Sequence, residues 1–238
     1  LAGAGGLGRR GVVRSMWTCP GTSQPMVRQP ELRCAAGVGI QGDRYSLDLE
    51  LGRYSGSPEP GRQLTLIASE GMERLRRDHG LDIGPETCRR NVVTRGMALA
   101  DLVGYELRIG EVRVFAHRAT VPCMYLEGLL RQKGLFEEFY YDAGLCCEIL
   151  EGSRIVEGDA VSVVPNSFDA SRCRTWPCKA LFVRPRDRTD AERAAVLATR
   201  RELQSMAEAD ASKKKRLRLF DQAFGRKTEA WDGGSPQW

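Results

Sequence analysis

Histidine is nearly missing from this chain: His79 and His117 are the only two in 238 residues. No Cys-x-x-Cys pair occurs either, so the ligand spacing of a structural zinc site is absent. Cys173 and Cys178 supply half a site at most, since no second pair with suitable spacing follows. No run approaches the roughly 18 apolar residues of a membrane span, which argues against an integral membrane protein. Residues 1–11 are mostly Gly, Ala and Arg and lack the apolar core of a signal peptide. The chain opens on Leu1 rather than Met, so a trimmed organelle-targeting segment stays open beside a cytoplasmic location. No internal repeat and no flavin, nicotinamide or haem motif is found.

Cysteine itself is not scarce. Its eight residues are scattered from Cys19 to Cys178 through a chain too large to need staples, which fits reduced thiols better than a disulfide framework. The net charge of +5 is unevenly spread. From Asn166 onward there are 16 basic and 10 acidic residues, while residues 1–165 hold 20 and 21. A basic cluster in the first part is therefore local rather than part of a general surplus.

Residues 12–165 read as short strands with few helices. Tyr105, Leu107 and Ile109 alternate with charged residues before Gly110-Glu111, and Val112 to Phe115 follows, which predicts a hairpin. Leu145–Leu150 and Ala160–Val164, joined through Glu157-Gly158-Asp159, predict a second strand pair. Ser69 is placed to cap a helix over Glu70–His79, closed by Gly80. A further helix is expected over Met124–Tyr140, interrupted at Gly134. Many short strands with glycine turns indicate a mainly β barrel or sandwich with flanking helices. Pro165 ends the pattern. Residues 1–11 are expected to be disordered, 12–165 to form the domain and 166–188 a linker. Residues 189–238 read as a basic helical extension with a disordered end, opening on the capping box Thr189-Asp190-Ala191-Glu192.

Four segments carry polar groups at turns or strand ends. In Gly39-Ile40-Gln41-Gly42-Asp43-Arg44 the glycines permit a sharp turn that presents Arg44 to a cleft, or leaves it solvated on a plain turn. In Arg89-Arg90-Asn91-Val92-Val93-Thr94-Arg95, strand periodicity puts Arg89, Asn91, Val93 and Arg95 on one face. That face suits an anionic, hydrogen-bonding ligand, and equally a charged edge strand. In Thr120-Val121-Pro122-Cys123-Met124, Pro122 ends a strand just before a thiol. A thiolate there, near arginines and a helix start, would be a soft ligand or sulfur carrier; an inert buried cysteine is the alternative. Glu157-Gly158-Asp159 is most simply a turn. His117 alternates with Ala116 along the hairpin and is expected to face solvent.

In this order, and with Arg62-Gln63-Leu64-Thr65-Leu66-Ile67 and Asp101-Leu102-Val103-Gly104, the segments resemble the MOSC domain. That module occurs at the C-terminus of molybdenum cofactor sulfurases and in stand-alone proteins. The resemblance spans about residues 12–165 and implies an antiparallel β-barrel that binds the molybdenum cofactor. By position it implies Cys123 as metal ligand or persulfide carrier, and Arg44, Arg89 and Asn91 as cofactor-binding residues. Glu127, one helical turn past Cys123, is a further candidate. Many small members carry a second cysteine where this chain has Thr120, which speaks against a dithiol mechanism.

Two functions follow from the resemblance. One is molybdenum-dependent reduction of N-hydroxylated small molecules, with electrons from a redox partner. The other is a cofactor-binding or sulfur-carrier module bearing a persulfide on Cys123. The chain has no room for a pyridoxal phosphate domain, so a separate cysteine desulfurase would supply that sulfur. The run Lys213–Arg218, beside Leu217, Leu219 and Phe220, reads as a solvated helix end rather than a nucleic-acid or membrane contact.

Overall fold

The computed structural model describes residues 10–52, 55–56, 59–120, 124–139 and 142–173, with scattered positions from 189 to 205. Two compact units divide between Thr175 and Trp176. The described residues of the second, from Asp190 to Ser205, are helical; the basic run Lys213–Arg218 lies outside the described residues.

In the first unit the strands are β1 (Arg10–Thr18), β2 (Val27–Gln29), β3 (Glu31–Ala35), β4 (Gly39–Ile40), β5 (Leu64–Ala68), β6 (Val92–Arg95), β7 (Glu106–Ile109), β8 (Val112–Ala119), β9 (Leu145–Glu151), β10 (Ser153–Val156) and β11 (Ala160–Val163). The helices are α1 (Ser69–His79), α2 (Met124–Leu130) and α3 (Leu135–Phe139). Seven strands close on themselves in the order β1-β6-β5-β9-β8-β7-β11, with β11 returning to β1. Closure removes the open edges that would template aggregation. β2 extends β1 on one side, and β10, β3 and β4 form a small second sheet.

Alternation writes the barrel interior. Leu107, Ile109, Val112, Val114, Ile149 and Val161 point inward and are buried, while Arg108 and Arg113 pair on the outside. Gly110, at φ +55°, supplies the turn between β7 and β8. A second apolar layer lies outside the barrel, where α1, α2 and α3 present Met72, Leu75, Leu126, Leu135 and Phe139 to Ile67 and Val93. Each such side chain contributes about 1.5–3 kcal/mol when fully buried.

Several expectations are revised. β9 and β11 are not a hairpin: β9 pairs with β8 and β5, β11 with β7 and β1, and β10 between them pairs with β3. The barrel is antiparallel except at β5–β6, which run parallel. The long connection through α1 allows this, because a parallel pair needs a crossover. Ser69 is not the cap of α1 but its first residue, and its hydroxyl accepts from Arg95 Nη1 at 3.3 Å. Gly80 does close the helix, in the left-handed conformation at φ +64°.

Packing on the barrel also continues past Pro165. Phe168 stacks on Tyr105 with ring centroids 5.1 Å apart, and Asp169 N–H donates to Gly104 O at 2.8 Å. His117, expected to face solvent, is 5% exposed and fastens this segment. Its Nδ1 lies 2.7 Å from Arg172 O and its Nε2 2.8 Å from Glu148 Oε2. Arg172 Nη2 donates to the same carboxylate oxygen at 2.8 Å, and its guanidinium lies over Phe115, 4.1 Å from the ring centroid. Register shifts in the β8–β9 pairing around Ala116 and Arg118 interrupt the simple alternation that pointed His117 outward.

Two substitutions test this frame. Gly144 adopts φ +91°, and a Cβ there would overlap Leu66 O on the neighbouring strand. Gly144→Ala should therefore lower stability by about 3 kcal/mol or more. Glu148→Ala strands His117 and Arg172 and should cost about 2 kcal/mol. Both are read by chemical denaturation, and a wild-type midpoint in either variant would contradict the packing described.

Candidate functional site

β1 leaves the barrel at Thr18 and runs directly into Cys19-Pro20-Gly21, so the first residue past the strand is a thiol held at 0% exposure. Its sulfur lies 3.0 Å from Gly21 O and 3.2 Å from Gln24 O. Its amide donates to Asp43 Oδ2 at 3.0 Å, and its carbonyl accepts from Arg44 N–H at 2.7 Å. The loop after β1 and the turn after β4 are thereby clasped together.

That turn depends on Gly42, at φ +77°, a conformation that favours glycine. Asp43, 3% exposed, is the best-bonded group here. Its Oδ1 accepts from Tyr45 N–H at 3.1 Å, and its Oδ2 accepts from Cys19 N–H and from Asn91 Nδ2, each at 3.0 Å. Arg44 is turned inward rather than solvated and is 8% exposed. The contacts of its guanidinium are long ones. Among the described residues its polar neighbours are Met26 Sδ at 3.8 Å and Asp43 Oδ2 at 3.9 Å, with the Tyr45 ring centroid 4.9 Å away.

Arg89 and Asn91 reach the cluster by a different geometry from the expected strand face. β6 begins only at Val92, and Arg89 adopts the left-handed conformation at φ +62°. Arg89 Nη1 donates to Gln24 O at 2.7 Å and Nη2 to Cys19 Sγ at 3.1 Å. Asn91 is 6% exposed and its amide is fully engaged. Oδ1 accepts from Thr65 N–H at 3.1 Å and Thr65 Oγ1 at 2.7 Å, while Nδ2 donates to Trp17 O at 3.2 Å and Asp43 Oδ2 at 3.0 Å. With two donors and two lone pairs used, Asn91 braces β1, β5 and the Asp43 turn. It keeps no hydrogen-bonding capacity for a ligand.

The structure thus brings together Arg44, Arg89 and Asn91, which lie far apart in sequence. Glu127 is half-buried on α2. The same helix carries Tyr125, whose hydroxyl bonds Ser23 Oγ in the loop after β1. Cys123 lies outside the described residues. Sequence reasoning missed Cys19 and Asp43 as members of the cluster. Asp43 was visible as the partner of Arg44 in the Asp-Arg pair, but nothing adjacent to Cys19 in sequence marks it.

A cavity of about 190 Å³ is lined by Tyr45 together with Ser46, Leu47, Glu59, Arg62 and Gln63. Gly52 leaves room for the Tyr45 ring, which a Cβ at that position would strike. Behind the cavity, Arg118 Nε donates to Glu59 Oε1 at 3.0 Å.

The six described cysteines are all free thiols, and burial makes three of them poor nucleophiles. Desolvation pushes Cys34 up to about 12 and Cys88 up to about 11, and raises Cys147 well above its ordinary value. No cluster of metal-ligating side chains occurs, and no helix is long and apolar enough to cross a membrane, among the described residues.

The fold is a closed β-barrel domain with a buried polar cluster where β1, β4 and β6 meet their loops. Residues 52–162 match the MOSC domain family. The barrel is similar to that of YuaD from Bacillus subtilis, at 18% identity and a TM-score of 0.53, over 65% of this chain and 95% of that one. It is also similar to YiiM from Escherichia coli, at 17% identity and a TM-score of 0.51, over 67% and 72% of the two chains. At these identities the likeness speaks for the fold. No curated protein matches the chain in sequence.

Cys34, Cys88 and Cys147 should resist alkylation of the native protein at pH 8 and react once it is unfolded, as read by peptide mass spectrometry. Because Cys34 and Cys88 hold their protons more tightly when folded, their contribution to stability is complete below pH 9.0 and is lost as pH rises through about 11 and 12. Ready alkylation of all three in the native state would contradict the burial.

Proposed function

We propose that this chain binds the molybdenum cofactor and reduces N-hydroxylated small molecules, R–NHOH + 2e⁻ + 2H⁺ → R–NH₂ + H₂O. The observation that carries the reading is Arg44. A buried guanidinium whose polar neighbours among the described residues lie at 3.8 and 3.9 Å keeps donors available for an anion. The donor set fits a phosphate-bearing pterin: a buried Arg44, a half-buried Arg89 and a braced turn between them. When bound, the cofactor supplies two-electron redox chemistry and an oxygen-accepting metal.

This chain's residues do the rest. Arg44 and Arg89 hold the anionic end. Asn91 acts as a positioning residue, fixing Asp43 and through it the Arg44 turn, rather than reading the pterin edge itself. Cys123 supplies the soft thiolate ligand. Glu127, on the helix that follows, lies near enough in sequence to serve the same site. Electrons come from a separate redox protein, since the chain carries no flavin, nicotinamide or haem motif. The cavity beside Tyr45 takes a small substrate.

The test is molybdenum and pterin content of protein made in a cofactor-producing host, with reduction of an N-hydroxylated compound by an artificial reductant. Wild type should hold both and turn over, and Cys123→Ser should lose metal and activity together. Equal metal in the two would remove the thiol from the coordination sphere. A persulfide mass on Cys123 without turnover would overturn the reductase reading in favour of the sulfur-carrier one.

A further inference from the structure

β5 begins at Leu64, opposite Cys147 on β9, so Ile149, two residues further along β9, has no partner on β5. Its backbone is met from elsewhere. Gln63 Oε1 accepts Ile149 N–H at 2.8 Å, and Gly37 N–H donates to Ile149 O at 3.2 Å. Gln63 and Gly37 both line the cavity beside Tyr45, so the cavity lies where the barrel wall between β5 and β9 gives out. The bond to Ile149 also fixes the Gln63 amide, because an N–H can be met only by the amide oxygen. Gln63 is 9% exposed, and its amide N–H groups find no acceptor among the described residues. A nine-tenths buried amide, locked in orientation, thus keeps its donors for the cavity it lines. Buried polar groups are ordinarily hydrogen-bonded, and here the partner must come from an occupant.

The rest of the lining gives that occupant its chemistry. Tyr45, Leu47 and Pro60 supply ring and apolar surface. Glu59 and Arg62 line the cavity too, but they lie 3.6 Å apart, and Arg118 Nε donates to the same Glu59 oxygen at 3.0 Å. Those charges are spent on one another and call for no charged ligand. Glu50, at φ +51°, adds an exposed carboxylate that meets no donor side chain among the described residues. An apolar cavity of about 150 Å³ takes benzene, so about 190 Å³ holds one six-membered ring with a small substituent. We propose that the cavity binds a planar, uncharged, single-ring molecule of the cyclic-amide type, whose acceptor atom meets Gln63 Nε2 and whose N–H is accepted by Glu50. The inference rests on the reading above only in making that molecule the substrate. Gln63 is then a specificity-determining residue, in a cavity tied to Arg44 through Tyr45, whose ring centroid lies 4.9 Å from the Arg44 guanidinium carbon.

The probes are 2-pyridone and its N-methyl derivative, which keeps the acceptor and lacks the N–H. Both are titrated by NMR into the full-length chain, made with and without a cofactor-producing host. Wild type should bind 2-pyridone in both preparations, and the N-methyl compound about tenfold more weakly, the loss expected for one hydrogen bond. Gln63→Glu keeps the oxygen that Ile149 N–H requires and removes the donors, so it should fold and bind 2-pyridone about tenfold more weakly. Glu50→Ala should bring the two probes to equal affinity. Absence of 2-pyridone binding in both preparations would overturn the inference and leave the cofactor reading standing. Equal binding of 2-pyridone by wild type and a folded Gln63→Glu would do the same, as would equal affinity of wild type for the two probes. Wild type that binds 2-pyridone but holds neither molybdenum nor pterin would overturn the cofactor reading and leave the cavity's chemistry standing.

Discussion

The buried carboxylate of Asp43 holds the site's parts in one place. It accepts backbone N–H groups from Cys19 and Tyr45 and the side-chain amide of Asn91, so three segments far apart in sequence end on one group. A buried charge is tolerable only when its lone pairs are met by well-placed donors, and here three N–H groups meet it. Arg44 stands 3.9 Å from one of its oxygens, close enough to balance the charge and too far to be used up by it. The geometry leaves the cation partly free. A tight bidentate pair would have spent it.

The barrel serves that arrangement. Closing seven strands fixes the exit of β1 and the starts of β5 and β6 relative to one another, and Asn91 spans all three. The left-handed backbone at Arg89 then throws its guanidinium toward the loop after β1, where Cys19 and Gln24 receive it. His117 and Glu148 tie residues 170–172 to β8 and β9, so the packed domain is larger than its strand pattern. The cavity beside Tyr45 sits between the Arg44 turn and the segment Glu59–Gln63, both held by the barrel wall.

Much of this was legible in the sequence because it follows from local pattern. Alternation in Tyr105–Ile109 and the glycine at 110 specified a hairpin. Gly80 specified the end of α1, and Gly134 the break between α2 and α3. What depended on long-range pairing was not legible. Nothing in Leu145–Leu150 and Ala160–Val164 says that β10 will intervene and divert to β3, and nothing around His117 reveals the shifted register that buries it. At the site, periodicity grouped Arg89 with Asn91 correctly for the wrong reason, since Arg89 precedes the strand. Cys19 had no local signal at all; its partners lie 24 and 70 residues away. The resemblance to MOSC domains supplied the ordered set of segments, and the structure explains why Arg44, Arg89 and Asn91 belong together.

In the cluster Asn91 is consumed as a brace, and Arg44 is the buried guanidinium whose polar contacts are long. The account stands or falls on Arg44 as the under-bonded cation. The direct measurement is molybdenum and pterin per chain in wild type and Arg44→Met, made in the same host, with circular dichroism to confirm the barrel. The account predicts substantial cofactor in wild type and its loss in a folded Arg44→Met protein. Equal cofactor in both proteins would contradict it.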